Sequence, residues 1–133
     1  MTLDIRGLCP LLQVFDMPTS LGFYRDVLGF EVTMRSGPGD DCGWVLLRRF
    51  EAVVMLNTAY EDDARPQVPD PARVACHADT TLFIGYPDLD QAYDHFRAHG
   101  LAVERPVVRD YGMRQLTVRD PDGYGVCFQW PSK

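Results

Sequence analysis

Apolar and polar positions alternate along this chain in two rounds of the same order. In the first round, Leu8 to Phe15 is an apolar stretch whose one polar member is Gln13, which predicts a strand. Pro10 places that strand at an edge or an end, because proline has no N–H to give to a ladder. Asp16 and Thr19 offer helix caps, with Pro18 early in the first turn. Leu21, Tyr24, Val27 and Leu28 then recur at helical spacing, and Gly29 supplies the residue that ends the helix. Phe30-Glu31-Val32 reads as a strand, and Ser36 to Asp41 is a loop by composition. Trp44 to Leu47 and Ala52 to Leu56 read as two more strands, joined across Arg48 to Glu51.

The second round repeats this order between residues 82 and 108: a strand, Asp88, a helix, Gly100, then Leu101-Ala102-Val103. The helix runs from about Leu89 to His99 and puts Leu89, Ala92, Tyr93 and Phe96 on one face. Strands are predicted around Val103 to Arg109, Met113 to Val118 and Tyr124 to Trp130. Asp120-Pro121-Asp122-Gly123 turns the last hairpin, since proline sets φ and glycine supplies a positive φ. Between the rounds, Thr58 to Asp79 has no periodicity and carries Pro66, Pro69 and Pro71. Two readings stand open for it: a linker between the halves, or a flap over a site.

Length and composition narrow the classes. A chain of 133 residues that is 46% hydrophobic makes one domain with a core of its own. The expected division is a first module at about 5–58, a connecting loop at about 59–78 and a second module at about 79–131. No apolar run reaches the roughly 20 residues of a membrane span, and the N-terminus has neither the basic nor the apolar region of a signal peptide. The expectation is a cytoplasmic protein with no membrane partner. Cys9, Cys42, Cys76 and Cys127 form no CxxC pair, so a zinc knuckle or dithiol motif is not indicated and free thiols are expected. A net charge of −6 argues against a nucleic-acid partner.

Three stretches carry a resemblance: Gln13-Val14-Phe15-Asp16, Phe23-Tyr24-Arg25-Asp26-Val27-Leu28-Gly29-Phe30 and Arg119-Asp120-Pro121-Asp122-Gly123-Tyr124. Together they resemble the vicinal oxygen chelate superfamily, which includes glyoxalase I, extradiol dioxygenases, and fosfomycin- and bleomycin-resistance proteins. The resemblance implies an α+β fold of two tandem βαβββ modules, forming a U-shaped mixed sheet around a cavity, usually in a homodimer. It also implies a test for metal. Members with metal chemistry place His, Gln or Glu at four inward strand positions, and these fall here on Cys9, Met55, Thr81 and Cys127. None is an imidazole or a carboxylate, so no metal ligand is assigned and no cofactor is expected. A divalent metal ion held elsewhere is the alternative.

Other ligand sets were weighed on the residues. Two thiolates and a thioether would suit a soft ion such as Cu(I), or a thiolate-bound Zn²⁺, with buried cysteines acting as small apolar residues as the alternative. His77 and Asp79 lie four and two residues before Thr81, and His77 reads as an exposed loop residue. His95 and His99 stand at i, i+4 without an acidic ligand beside them, which fits a solvated helix face.

Period-2 alternation places further side chains beside the four positions. Leu11 and Gln13 accompany Cys9, Val53 and Asn57 accompany Met55, Phe83 and Gly85 accompany Thr81, and Gly125 and Gln129 accompany Cys127. Such a mixture of apolar groups and neutral amides suits a small-molecule site, with an ordinary core as the alternative. Arg114, in a segment similar to one before the last hairpin of bleomycin-resistance proteins, would pair with an anionic ligand or with a neighbouring carboxylate. Trp44 would stack on a ligand or seal the core. The expected ligand-binding set is therefore Cys9, Gln13, Met55, Asn57, Thr81, Phe83, Arg114, Cys127 and Gln129. The expected function is binding of a small, partly apolar molecule without metal. The alternative is a metal-dependent lyase or dioxygenase with a non-standard or partner-supplied site.

Overall fold

A computed structural model describes residues 1–61 and 63–133; Asp62, in the expected connecting loop, lies outside the described residues. The chain divides into two compact units, Met1–Arg65 and Pro66–Lys133.

In the first unit, strand β1 (Leu11–Val14) leads into helix α1 (Met17–Leu21), which widens into a π-helical turn over Gly22–Val27. Strands β2 (Glu31–Arg35), β3 (Trp44–Arg49) and β4 (Ala52–Thr58) complete a βαβββ module. The sheet order is β1-β4-β3-β2, with β1 parallel to β4 and the other pairs antiparallel. Asp16 starts the helix by accepting from the Thr19 N–H at 3.1 Å and from the Thr19 hydroxyl. Gly29 ends it at φ +88°, a value that favours glycine. A regular helix was expected through Leu28, but the Leu28 N–H reaches back five residues to the Phe23 carbonyl at 2.9 Å. That wider turn lets the consecutive Phe23 and Tyr24 both be buried. One face of the sheet packs with the helix: Val14, Leu21, Val45, Leu47 and Leu56 keep no exposed surface. Each such burial is worth roughly 1.5–3 kcal/mol.

The second unit repeats the module. Strand β5 (Thr81–Gly85), helix α3 (Leu89–Ala98) and strands β6 (Val107–Val108), β7 (Met113–Arg119) and β8 (Gly125–Pro131) follow in order. The sheet order is β5-β8-β7-β6, with β5 parallel to β8, the arrangement of the first unit. Asp88 caps α3 through the Gln91 N–H at 3.0 Å, and Leu89, Ala92 and Phe96 are buried along one stripe. The turn before β8 is held by Asp120, whose Oδ1 accepts from the N–H groups of Asp122 and Tyr124, each at 2.9 Å.

Two expectations are corrected here. The strand expected from Val103 to Arg109 shrinks to Val107–Val108. Pro106 brings no N–H and stops the ladder before it reaches Val103. The segment expected to have no regular structure holds helix α2 (Pro71–Cys76) and a 3₁₀ turn (His77–Asp79). Asp70 caps α2 and Pro71 opens it. None of its residues is fully buried, so it carries no apolar stripe to read. Among the described residues, no helix is long and apolar enough to cross a membrane.

Candidate functional site

In each unit the sheet face turned away from the helix is open, and the strand register decides which side chains meet there. In the first unit Leu11, Met55 and Leu46 are direct neighbours across β1, β4 and β3. Gln13, Asn57 and Trp44 form the next row. Asn57 Nδ2 donates to Gln13 Oε1 at 3.3 Å and to the Thr58 carbonyl at 3.2 Å. Leu11 is 46% exposed on this face. Trp44 is half-buried beside the amides. Cys9 lies just before β1, half-buried, with its thiol 3.8 Å from the Pro10 carbonyl.

In the second unit the rows are Thr81–Gly125–Arg119, Phe83–Cys127–Thr117 and Gly85–Gln129–Gln115. Gln115 Nε2 donates to Gln129 Oε1 at 2.9 Å, and Gln115 Oε1 accepts from Arg109 Nε at 3.1 Å. A polar line therefore crosses the sheet from Arg109 to Gln129. Beside it Phe83 is 59% exposed, whereas Cys127 is buried with its thiol 3.9 Å from the Phe128 carbonyl. Gly125 leaves room for its neighbours: a Cβ there would stand 2.9 Å from Thr81 Oγ1.

The structure thus brings Gln13, Met55 and Asn57 onto one open face, and Thr81, Phe83, Cys127 and Gln129 onto another. Arg114 is not with them. It pairs with Trp130 in the register and points to the helix side, where its guanidinium meets Asp90 of α3 at 2.8 Å. That hydrogen bond holds the Asp90 carboxyl below its ordinary range. Gln115 and Arg109 were missed in the sequence. Counting outward from the expected Asp120–Gly123 turn pairs 119 with 124 and 115 with 128. The hairpin instead closes on Asp120 and Tyr124, so the register sets 119 opposite 125 and 115 opposite 129, and the sequence count alone did not single out Gln115.

The histidines fall into two settings, His77 packed on the turn before β8 and His95 and His99 exposed on α3 and its C-cap. His77 was expected to be an exposed loop residue; instead its Nδ1 lies 2.7 Å from the Asp122 carbonyl, and its ring stacks on Tyr124 at 4.0 Å and 9°. Arg73 of α2 meets Asp122, itself 2% exposed, at 3.0 Å. Helix α2 is thereby seated on the turn that opens β8. On α3, His99 Nδ1 lies 2.9 Å from the His95 carbonyl, so that ring is engaged with its own helix.

The four positions that hold metal in other members carry a thiol and a thioether in the first unit, and a hydroxyl and a thiol in the second. Iron, manganese and nickel in such sites take carboxylates and imidazoles, which this donor set lacks, and thiolate-bound zinc needs about four ligands gathered at one point. Among the described residues no three His, Cys, Asp or Glu side chains gather as ligands around an ion would. All four cysteines are unbonded to one another.

The family model of the Glyoxalase/Bleomycin resistance protein/Dioxygenase superfamily matches residues 8–128. The chain belongs to this superfamily. Solved structures of similar fold include TnmS3, an antibiotic-binding protein from Streptomyces sp. CB03234, at 22% identity and a TM-score of 0.71, covering 98% of this chain and 100% of that one. The bleomycin-binding protein of Streptomyces verticillus, complexed with copper(II)-bleomycin, is 21% identical with a TM-score of 0.66 and 99% of both chains covered. Lactoylglutathione lyase from Agrobacterium tumefaciens is 20% identical with a TM-score of 0.67, covering 96% of this chain and 95% of that one. At these identities the likeness shows the superfamily fold alone. No curated protein matches the sequence.

Proposed function

We propose that this superfamily member binds a small, partly apolar molecule on its open sheet faces, without a divalent metal. The observation that carries this reading is the pairing of amides beside apolar side chains on the open faces: Asn57 with Gln13 next to Leu11 and Met55, and Gln115 with Gln129 near Phe83. Amides can turn donors and acceptors toward a ligand, while Leu11, Met55 and Phe83 offer apolar surface for it to cover. Covering Phe83, 59% exposed, removes roughly 100 Å² from water, worth roughly 2–3 kcal/mol. The ligand-binding set is Cys9, Gln13, Met55, Asn57, Thr81, Phe83, Cys127 and Gln129, with Arg114 left out. Two proteins of the same fold are named for binding antibiotics, which supports the ligand class. A homodimer in the cytoplasm completes the reading.

The test is a screen of small organic compounds by thermal stabilisation, run with and without a chelator. A ligand at a hundred times its Kd stabilises by about 2.7 kcal/mol. For the bound compound, Phe83→Ala or Gln13→Ala, according to which face it uses, should weaken binding while the free protein still unfolds cooperatively. Stabilisation that survives both substitutions unchanged, or that vanishes with chelator, contradicts the proposal. The second outcome would favour a metal-dependent lyase or dioxygenase.

A further inference from the structure

Strand β6 pairs only with Arg114 and Gln115 of β7, because Pro106 ends it. The rest of that β7 edge borders the irregular segment from Gly100 to Arg105, and a groove of about 730 Å³ opens there. That volume lies within the roughly 300–1,000 Å³ of small-molecule sites. The groove is lined by Arg97, Arg105 and Arg109 with Glu104 as the one acid, and Leu101 and Val107 give it apolar surface.

The arginines are gathered by a shared aromatic ring. Arg97 Nη1 donates to the Tyr93 hydroxyl at 3.0 Å, and its Cζ lies 5.8 Å from the centre of the Tyr93 ring. Arg105 Cζ lies 4.8 Å from the same centre. Two guanidinium groups held near one ring repel each other, and an anion bound beside them offsets that repulsion. Among the described residues none of the three arginines has a carboxylate within ion-pair distance. Asp90 is the acid that feels Arg105, and its oxygen is taken by Arg114 at 2.8 Å. Such a concentration of unneutralised cations is notable in a chain of net charge −6.

We infer that this groove binds an organic anion with an apolar or aromatic body. Arg97 and Arg105 receive the acid group, because a planar guanidinium matches a carboxylate or phosphate with paired hydrogen bonds. Leu101 and Val107 receive the body. The groove shares Gln115 and Arg109 with the polar line that reaches Gln129, but Thr81, Phe83 and Cys127 do not line it, so naphthoate binding that persists in Phe83→Ala separates this inference from the proposed function.

The test is a titration of the full chain with 2-naphthoate, followed by amide chemical shifts and by probe fluorescence. Its uncharged counterpart, 2-naphthalenemethanol, is titrated in parallel. Naphthoate should shift the amides of Leu101, Arg105 and Leu116, and the alcohol should bind at least roughly tenfold more weakly, as expected on losing a charged hydrogen bond. The double variant Arg97→Gln, Arg105→Gln should lose about as much. Both side chains are exposed, so its spectrum reports whether the fold is kept. Equal affinity for acid and alcohol, unchanged affinity in the double variant, or shifts confined to other residues would overturn the inference. So would no shift at millimolar naphthoate.

Discussion

Replacing Gly123 with Ala tests whether helix α2 is seated on the turn before β8. Gly123 has φ +92°, and a Cβ built there would stand 2.4 Å from the Val74 carbonyl oxygen and 2.9 Å from Val74 Cγ1. Carbon contacts settle at about 3.5–4.0 Å, so α2 must move away. The backbone conformation alone costs an alanine roughly 1–2 kcal/mol. Forcing atoms into a packed contact adds roughly 1–3 kcal/mol. The total is about 2–5 kcal/mol, or a fall in Tm on the order of 6–20 °C for a chain of this size. Gly100→Ala is the matched control: φ is +78° there and nothing lies within 4 Å of the added carbon. It should show the conformational cost alone. Thermal unfolding followed by circular dichroism measures both variants. Equal Tm values would show that α2 yields freely, and would refute the account of how the segment around Val74 is held.

Two further outcomes follow from the ion pairs. Arg73→Met leaves the carboxylate of Asp122, 2% exposed, without its arginine, and should cost about 3 kcal/mol in urea unfolding; a loss under about 0.5 kcal/mol would contradict a buried pair. Asp16 is held below its ordinary 3.8, first by the Thr19 hydroxyl and also by Arg65 at 2.8 Å. A carboxyl lowered in the folded state stabilises above its unfolded value and loses that contribution as pH falls through the folded value. Asp16→Asn should therefore flatten the loss of stability on acidification below about pH 4, and an unchanged acid slope would refute the assignment.

The duplicated module was legible because its punctuation is chemical and local. Asp16 and Asp88 cap, Gly29 and Gly100 end, and the apolar stripes between them have helical spacing. Helix α2 was not legible from periodicity, since a six-residue helix with no fully buried residue leaves no stripe. Its signal was Asp70-Pro71, an acid cap before a first-turn proline. The short β6 had a visible cause in Pro106, but the apolar Leu101 to Val103 outweighed it. On the open faces, alternation around Met55 and Cys127 agrees with the register, because a strand's period of two leaves no freedom once one residue is placed. Arg114 was singled out by its likeness to a motif. The hairpin is one residue longer than the expected turn, and its register sets Arg114 opposite Trp130, on the other face from Cys127, and brings Gln115 beside Gln129 instead.

The measurement that bears most directly on metal-free binding is the elemental metal content per chain, after expression in metal-supplemented medium and purification without chelator. The donor set at Cys9, Met55, Thr81 and Cys127 predicts iron, manganese, nickel and zinc each far below one per chain. A value near one for any of them would contradict the account.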